Sequence, residues 1–142
     1  MNEKEERIFD FKQDPYNHMM RMLFGKWKPF ILHAVDEDDF TNFSRFTKQL
    51  PITQKVLTEN LRQLEEDGLI YKTVRDTKPP QTEYRLTETG KKMIPLLNMV
   101  YKLGWEDMKE KNIPIDALGE MWHGYRERDE EFMYHPYDEK KV

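Results

Sequence analysis

Between Thr53 and Arg62 the sequence reads TQKVLTENLR, and within it Thr53, Gln54, Lys55, Thr58, Glu59 and Arg62 carry polar or charged side chains. On a wheel of about 100° per residue, Lys55, Thr58, Glu59, Arg62 and Glu66 fall opposite Leu57, Leu61 and Leu64. A face of this kind forms no covalent intermediate, but it can read hydrogen-bonding patterns. A helix end lodged in the ~12 Å wide major groove of a duplex brings short polar side chains to base edges and turns its free N–H groups toward phosphates. Gln54 has the groups to pair with adenine, and Lys55 with guanine or a phosphate. Arg62 has two uses: a phosphate contact, or an ion pair with Glu59 and Glu66 three and four residues away.

Other chemistries find little support. Cysteine is absent, which removes disulfides, thiolate metal sites and thiol nucleophiles. Ser44 is the only serine and has no G-x-S-x-G elbow around it. His18, His33, His123 and His135 share no metal-ligand spacing, and adjacent acids such as Glu65 and Glu66 diverge by about 100° on a helix. The inventory therefore predicts neither an enzyme nor a resident metal or cofactor. No apolar run approaches the ~18 residues of a membrane span, and the acidic start MNEKEER is unlike a signal peptide, so a cytoplasmic protein with no membrane partner is expected.

The 142 residues carry a formal charge of -4, unevenly spread. Residues 42–92 hold 10 basic and 7 acidic groups, whereas residues 103–142 hold 6 and 11. A mildly basic centre between acidic flanks is the footprint of a polyanion contact.

The elements that must position the 53–62 face follow from local signals. Asp14-Pro15 starts a helix that runs through YNHMMRMLF, and a second helix from Lys26 tolerates Pro29 in its first turn. Phe43, Phe46 and Leu50 space a short third helix, which Pro51 stops. Thr53 caps the fourth, with Ile52 and Leu57 as its hydrophobic staple and Gly68 as its left-handed end. LIYKTV and QTEYRL alternate like strands around the turn RDTKPP, giving a hairpin with a basic tip. Thr87 caps a last helix, KKMIPLLNMVYKLGW, with Pro95 in its second turn as a candidate kink. The fold class expected is mainly α with a small β-hairpin: a winged helix-turn-helix domain over residues 15–105, after a charged tail at 1–14. An acidic, aromatic-rich extension follows at 106–142, partly helical over IDALGEMWHGYRERDEEFM.

GKW at 25–27, LTENLRQLEEDGLI at 57–70, KPPQTEYRLTETG at 78–90 and LGW at 103–105 resemble the HxlR-type family of bacterial winged-helix regulators, related in architecture to MarR-type proteins. The resemblance covers residues 14–105. It implies transcription regulation by a homodimer that binds double-stranded DNA at a two-fold-symmetric operator, with terminal helices forming the dimer. Many members carry a cysteine just before the first proline and use it to sense oxidants; Asp14 stands there in this chain, so direct thiol sensing is not expected. Arg45 stands where an acidic residue is common and is a candidate phosphate contact. Lys72, Arg75 and Lys78 are candidates for a wing that clamps the minor groove or backbone.

A homodimer would also account for the first and last helices, which are apolar around most of their circumference. Met19, Met22, Leu23, Leu97, Val100, Tyr101 and Trp105 are the residues expected at that interface. Trp27, Trp105 and Trp122, together with nine methionines, are ordinarily core material; the alternative is a pocket for a small aromatic effector between the first and last helices. The negative net charge favours a different alternative, a winged-helix protein-interaction adaptor without DNA binding.

Overall fold

A computed structural model of the chain describes residues 13–38 and 41–121. Helices α1 (Pro15–Leu23) and α2 (Lys28–Asp38) lead into a two-residue strand β1 (Thr41–Asn42), then α3 (Phe43–Gln49) and α4 (Gln54–Glu66). Strands β2 (Ile70–Arg75) and β3 (Gln81–Leu86) form the hairpin, and α5 (Glu88–Glu110) and a single turn α6 (Ala117–Glu120) follow.

The caps are chemical and lie where the sequence puts them. The Asp14 carboxylate accepts from Asn17 N–H at 3.0 Å, with Pro15 in the first turn of α1. Thr53 Oγ1 accepts from Val56 N–H at 3.3 Å at the head of α4. At the far end Gly68 takes φ +75°, its N–H donates to the Glu65 carbonyl and the Leu69 N–H to the Leu64 carbonyl, both at 3.0 Å. That pair of bonds is a Schellman stop, which favours a residue without a side chain at the left-handed position.

The core gathers Leu23 of α1, Ile31, Leu32, Ala34 and Val35 of α2, Phe46 of α3, Leu57, Leu61 and Leu64 of α4, Leu69 and Ile70, Leu86, and Ile94 and Leu97 of α5. At ~25 cal/mol per Å² of buried apolar surface, this shared centre is the main force holding α4 against the body.

The sheet differs from expectation. It has three strands in the antiparallel order β1-β3-β2, with Thr41 opposite Tyr84 and Asn42 opposite Glu83. β1 is too short for a two-residue period to reveal, and its sequence serves a second purpose, since the Asn42 side chain caps α3 by accepting from Arg45 N–H at 2.9 Å. Helix α5 continues through a buried Pro95 and beyond residue 105 to Glu110, so the expected boundary at 105 falls inside a helix. Of the helix expected over residues 115–133, the described part forms only α6; residues 1–12 and 122–142, including Trp122, His123 and His135, lie outside the described residues.

One junction ties the site to the frame. The Thr87 hydroxyl accepts from Gly90 N–H at 3.0 Å, capping α5, and donates to the Gly68 carbonyl at 2.6 Å, just past the end of α4. Thr87 N–H donates to the Leu69 carbonyl at 3.0 Å. Gly90 lies so close that a Cβ there would stand 2.1 Å from the Leu69 oxygen.

Candidate nucleic-acid interface

Helices α3 and α4 are joined by Leu50 to Thr53, a short link in which Leu50 is buried and Ile52 half-buried against the core. Their packing seals Leu57, Leu61 and Leu64 inward and leaves Thr53, Gln54, Lys55, Thr58, Glu59 and Arg62 exposed. These six side chains thus lie on the solvent side of the N-terminal cap and body of one helix. Arg45 is exposed in the first turn of α3.

Polar contacts within that surface sort its members. Thr58 Oγ1 donates to the Gln54 carbonyl at 2.7 Å, an internal bond that leaves its methyl and lone pairs for an outside contact. Arg62 is engaged on both sides: its Nε donates to Glu59 Oε2 at 3.0 Å, its Nη2 to Glu59 Oε1 at 2.5 Å, and its Nη1 to Glu66. Of the two uses open to Arg62, the structure displays the ion pair. Gln63 Nε2 adds a bond to Glu59 Oε1 at 3.0 Å. The Arg62 guanidinium, and then the Gln63 amide, pull the Glu59 carboxyl down to about 2, while its two partners hold the Arg62 guanidinium above its ordinary range. Among the described residues no carboxylate pairs with Lys55, Lys72 or Lys78.

The hairpin separates the wing cations by its pleat. Lys72 faces Tyr84 across the ladder and, with Thr58, Leu61, Arg62, Glu65 and Tyr84, lines a groove of about 480 Å³ between α4 and the sheet. Burial, reinforced by Glu65, raises the Tyr84 hydroxyl above its usual range. Arg75 lies on the opposite face, 3.5 Å from Glu83, which Arg85 also approaches at 3.4 Å. Glu83 is buried, with only 9% of its side chain exposed. Sequence reasoning missed it; the one local signal was Arg85 two residues along the same strand, whereas Arg75 is brought near only by the pairing of Thr73 with Glu83. Lys78 stands exposed in the tip, which is folded by a Thr77 Oγ1 bond to the Pro79 carbonyl at 2.8 Å.

Three of the seven residues expected at a dimer interface are covered within the chain itself. Leu23 and Leu97 are fully covered within the chain and Met22 nearly so, because those sides of α1 and α5 pack on the chain's own core. Met19, Tyr101 and Trp105 are half-buried. Tyr101 is held internally: its hydroxyl donates to the Gly119 carbonyl at 2.5 Å and its ring stacks on Trp105 at 6.1 Å. Val100 remains exposed, as do Leu103 of α5, 56% exposed, and Tyr16 and Met20 of α1, 86% and 54% exposed, three residues absent from the expected set. Trp27 packs near Phe30, at 6.2 Å between ring centres, with the Lys26 ammonium 5.2 Å from its ring. Among the described residues no three histidines or acids gather as a metal site, and no helix is long and apolar enough to cross a membrane.

An amphipathic helix presented outward after a tight turn, beside a hairpin carrying lysines, defines a winged helix-turn-helix protein of the DNA-binding regulator class. The model of the HxlR-like helix-turn-helix family matches residues 22–112, and the chain belongs to that family. It is 43% identical over 81 residues to an uncharacterized HTH-type transcriptional regulator of Methanothermobacter thermautotrophicus, the match covering 56% of this chain and 61% of that protein. Over 105 residues it is 30% identical to the uncharacterized HTH-type transcriptional regulator BH0655 of Halalkalibacterium halodurans, covering 73% of this chain and 93% of the relative. Among solved structures, it superposes on the HTH-type transcriptional regulator YtcD with a TM-score of 0.64 at 33% identity, over 68% of this chain and 99% of that one. The redox regulator HypR in its oxidized form gives a TM-score of 0.62 at 33% identity, covering 66% and 96%. This chain is thus a helix-turn-helix transcriptional regulator.

Proposed function

We propose that the protein acts as a homodimer that binds double-stranded DNA at a two-fold-symmetric operator and regulates transcription from it without catalysing a reaction. The observation that carries this reading is the outward face of α4, where Gln54, Lys55, Thr58 and Glu59 are exposed on a helix whose leucines are sealed in the core. On this reading the N-terminal half of α4 enters the major groove, Lys72 and Lys78 of the wing contact the adjacent backbone, and Arg45 meets a phosphate from α3. Arg75 contributes less, since it shares the Glu83 carboxylate with Arg85 and part of its charge is already compensated.

Tyr16, Met20, Val100 and Leu103 are the apolar groups left for a twin subunit, which would hold two α4 helices about one duplex turn, ~34 Å, apart. Having no cysteine, the chain has no thiol with which to respond to oxidants. A small aromatic effector would enter between α1 and α5, near Trp105; tryptophan fluorescence and operator affinity across a panel of aromatic compounds test this part.

The decisive experiment is a binding series on duplexes flanking the protein's own gene at several salt concentrations. Each phosphate neutralised contributes about -0.9 to the slope of log K against log salt. A slope near zero would overturn the proposal. The adaptor reading draws on one observation, that Arg62 and Arg75 are both compensated by glutamates, and it requires duplex binding to be indifferent to loss of Lys55, Lys72 and Lys78.

A further inference from the structure

We infer that Glu59 is a specificity-determining residue, its carboxylate fixed by Arg62 so as to accept a hydrogen bond from the exocyclic amine of a cytosine in the major groove. This rests on α4 being the helix that enters the groove.

Glu59 lies one helical turn after Lys55, on the same exposed face. Both of its oxygens are held, Oε2 by Arg62 Nε at 3.0 Å and Oε1 by Arg62 Nη2 at 2.5 Å and Gln63 Nε2 at 3.0 Å. A carboxylate oxygen can accept more than one bond, so the clamp orients the group without exhausting it. Arg62 is in turn braced by Glu66 on its far side, so the side chains form a fixed unit rather than a mobile carboxylate.

The charge of the unit decides what it can face. Two glutamates and one arginine leave one net negative charge, which phosphates repel, so the group is suited to base edges rather than the backbone. An ionised carboxylate has no donor, and it stays ionised at any ordinary pH. Guanine N7 and O6, adenine N7 and thymine O4 are acceptors and are rejected. The amine donors in the major groove belong to cytosine and adenine, and in adenine the amine adjoins N7, which a second carboxylate oxygen would oppose. Cytosine remains as the match. Lys55 and Glu59 one turn on would then favour guanine and cytosine, respectively, at neighbouring steps.

The test is selection from a duplex library randomised across both half-sites, using the full chain as wild type, E59A, E59Q and R62M. Wild type is expected to enrich a C·G pair at one position of each half-site. E59A should lose that preference, by roughly 5- to 150-fold against the other pairs, with the remaining positions unchanged. E59Q should move the preference toward adenine, and R62M should flatten it while Glu59 is still present. If E59A abolished all binding, the isosteric E59Q would decide the matter by its shift at that position. A wild-type motif that E59A and E59Q leave untouched at every position overturns the role of Glu59 while sparing the DNA-binding proposal. Enrichment of no motif by wild type overturns both.

Discussion

Two glycines of one helix should answer the same substitution with opposite signs. A Cβ on Gly90 would stand 2.1 Å from the Leu69 oxygen and 3.1 Å from its carbon, both backbone atoms that cannot swing aside. Overpacking of this kind costs about 1–3 kcal/mol. Displacing the Leu69 carbonyl also strains the bond it receives from Thr87 N–H, worth about 1 kcal/mol. The total for Gly90→Ala is about 2–4 kcal/mol, which for a chain of this length lowers Tm by roughly 10 °C. Gly104 lies farther along α5 with nothing within 4 Å of its would-be Cβ. There alanine should stabilise, by up to about 1 kcal/mol, through helix propensity alone. Urea unfolding at fixed protein concentration, with m-values compared, measures both. Equal and small effects of the two variants would refute the claim that α5 is docked against Leu69 by the absence of a side chain at position 90.

Lys78→Gln should make the salt slope of duplex binding shallower by about 0.9, whereas Arg62→Ala should change it far less, since Arg62 is already paired; anisotropy titrations at several salt concentrations distinguish the two. Met20→Asp combined with Leu103→Asp should shift the mass in light scattering from dimer to monomer without unfolding the chain, because both side chains are exposed in the single subunit. The folded Glu59 carboxyl is depressed from 4.5 to about 2 by Arg62 and Gln63, so any stability it contributes is fully present above pH 4.5 and is lost as pH falls through about 2. Carbon-detected titration of that carboxyl should give a midpoint well below the usual carboxylate range, and Arg62→Met should move it back toward that range.

Much of the fold was legible because its stops and starts are written in single residues. Asp14, Thr53 and Thr87 announce helix heads by side-chain chemistry, and Gly68 announces a tail by backbone conformation, so neighbours within four residues decide them. The polar face of α4 was legible for the same reason, as was the pairing of Arg62 with residues three and four away. What escaped depended on distant partners. β1 exists only because β3 is beside it, and the Arg75–Glu83 pair follows from a strand register that no local pattern prints. Leu23 and Leu97 were placed at a subunit interface because a helix apolar on all sides does not say which side its own core will take. Packing decided that, leaving Tyr16, Met20 and Leu103 outside instead.

The sheet order leaves β2 with β3 on one flank and no strand on the other among the described residues. Unpaired backbone donors and acceptors along such a rim invite another chain to zip onto it, and Val74, 66% exposed, would reward the mistake. Lys72 and Arg75, spaced along that rim, are charges of the kind that oppose such pairing. Beside the grip proposed for them, the wing's cations would then guard against self-association, and glutamine, which keeps a polar head, is a safer probe of them than alanine, whose loss of binding would be mixed with precipitation.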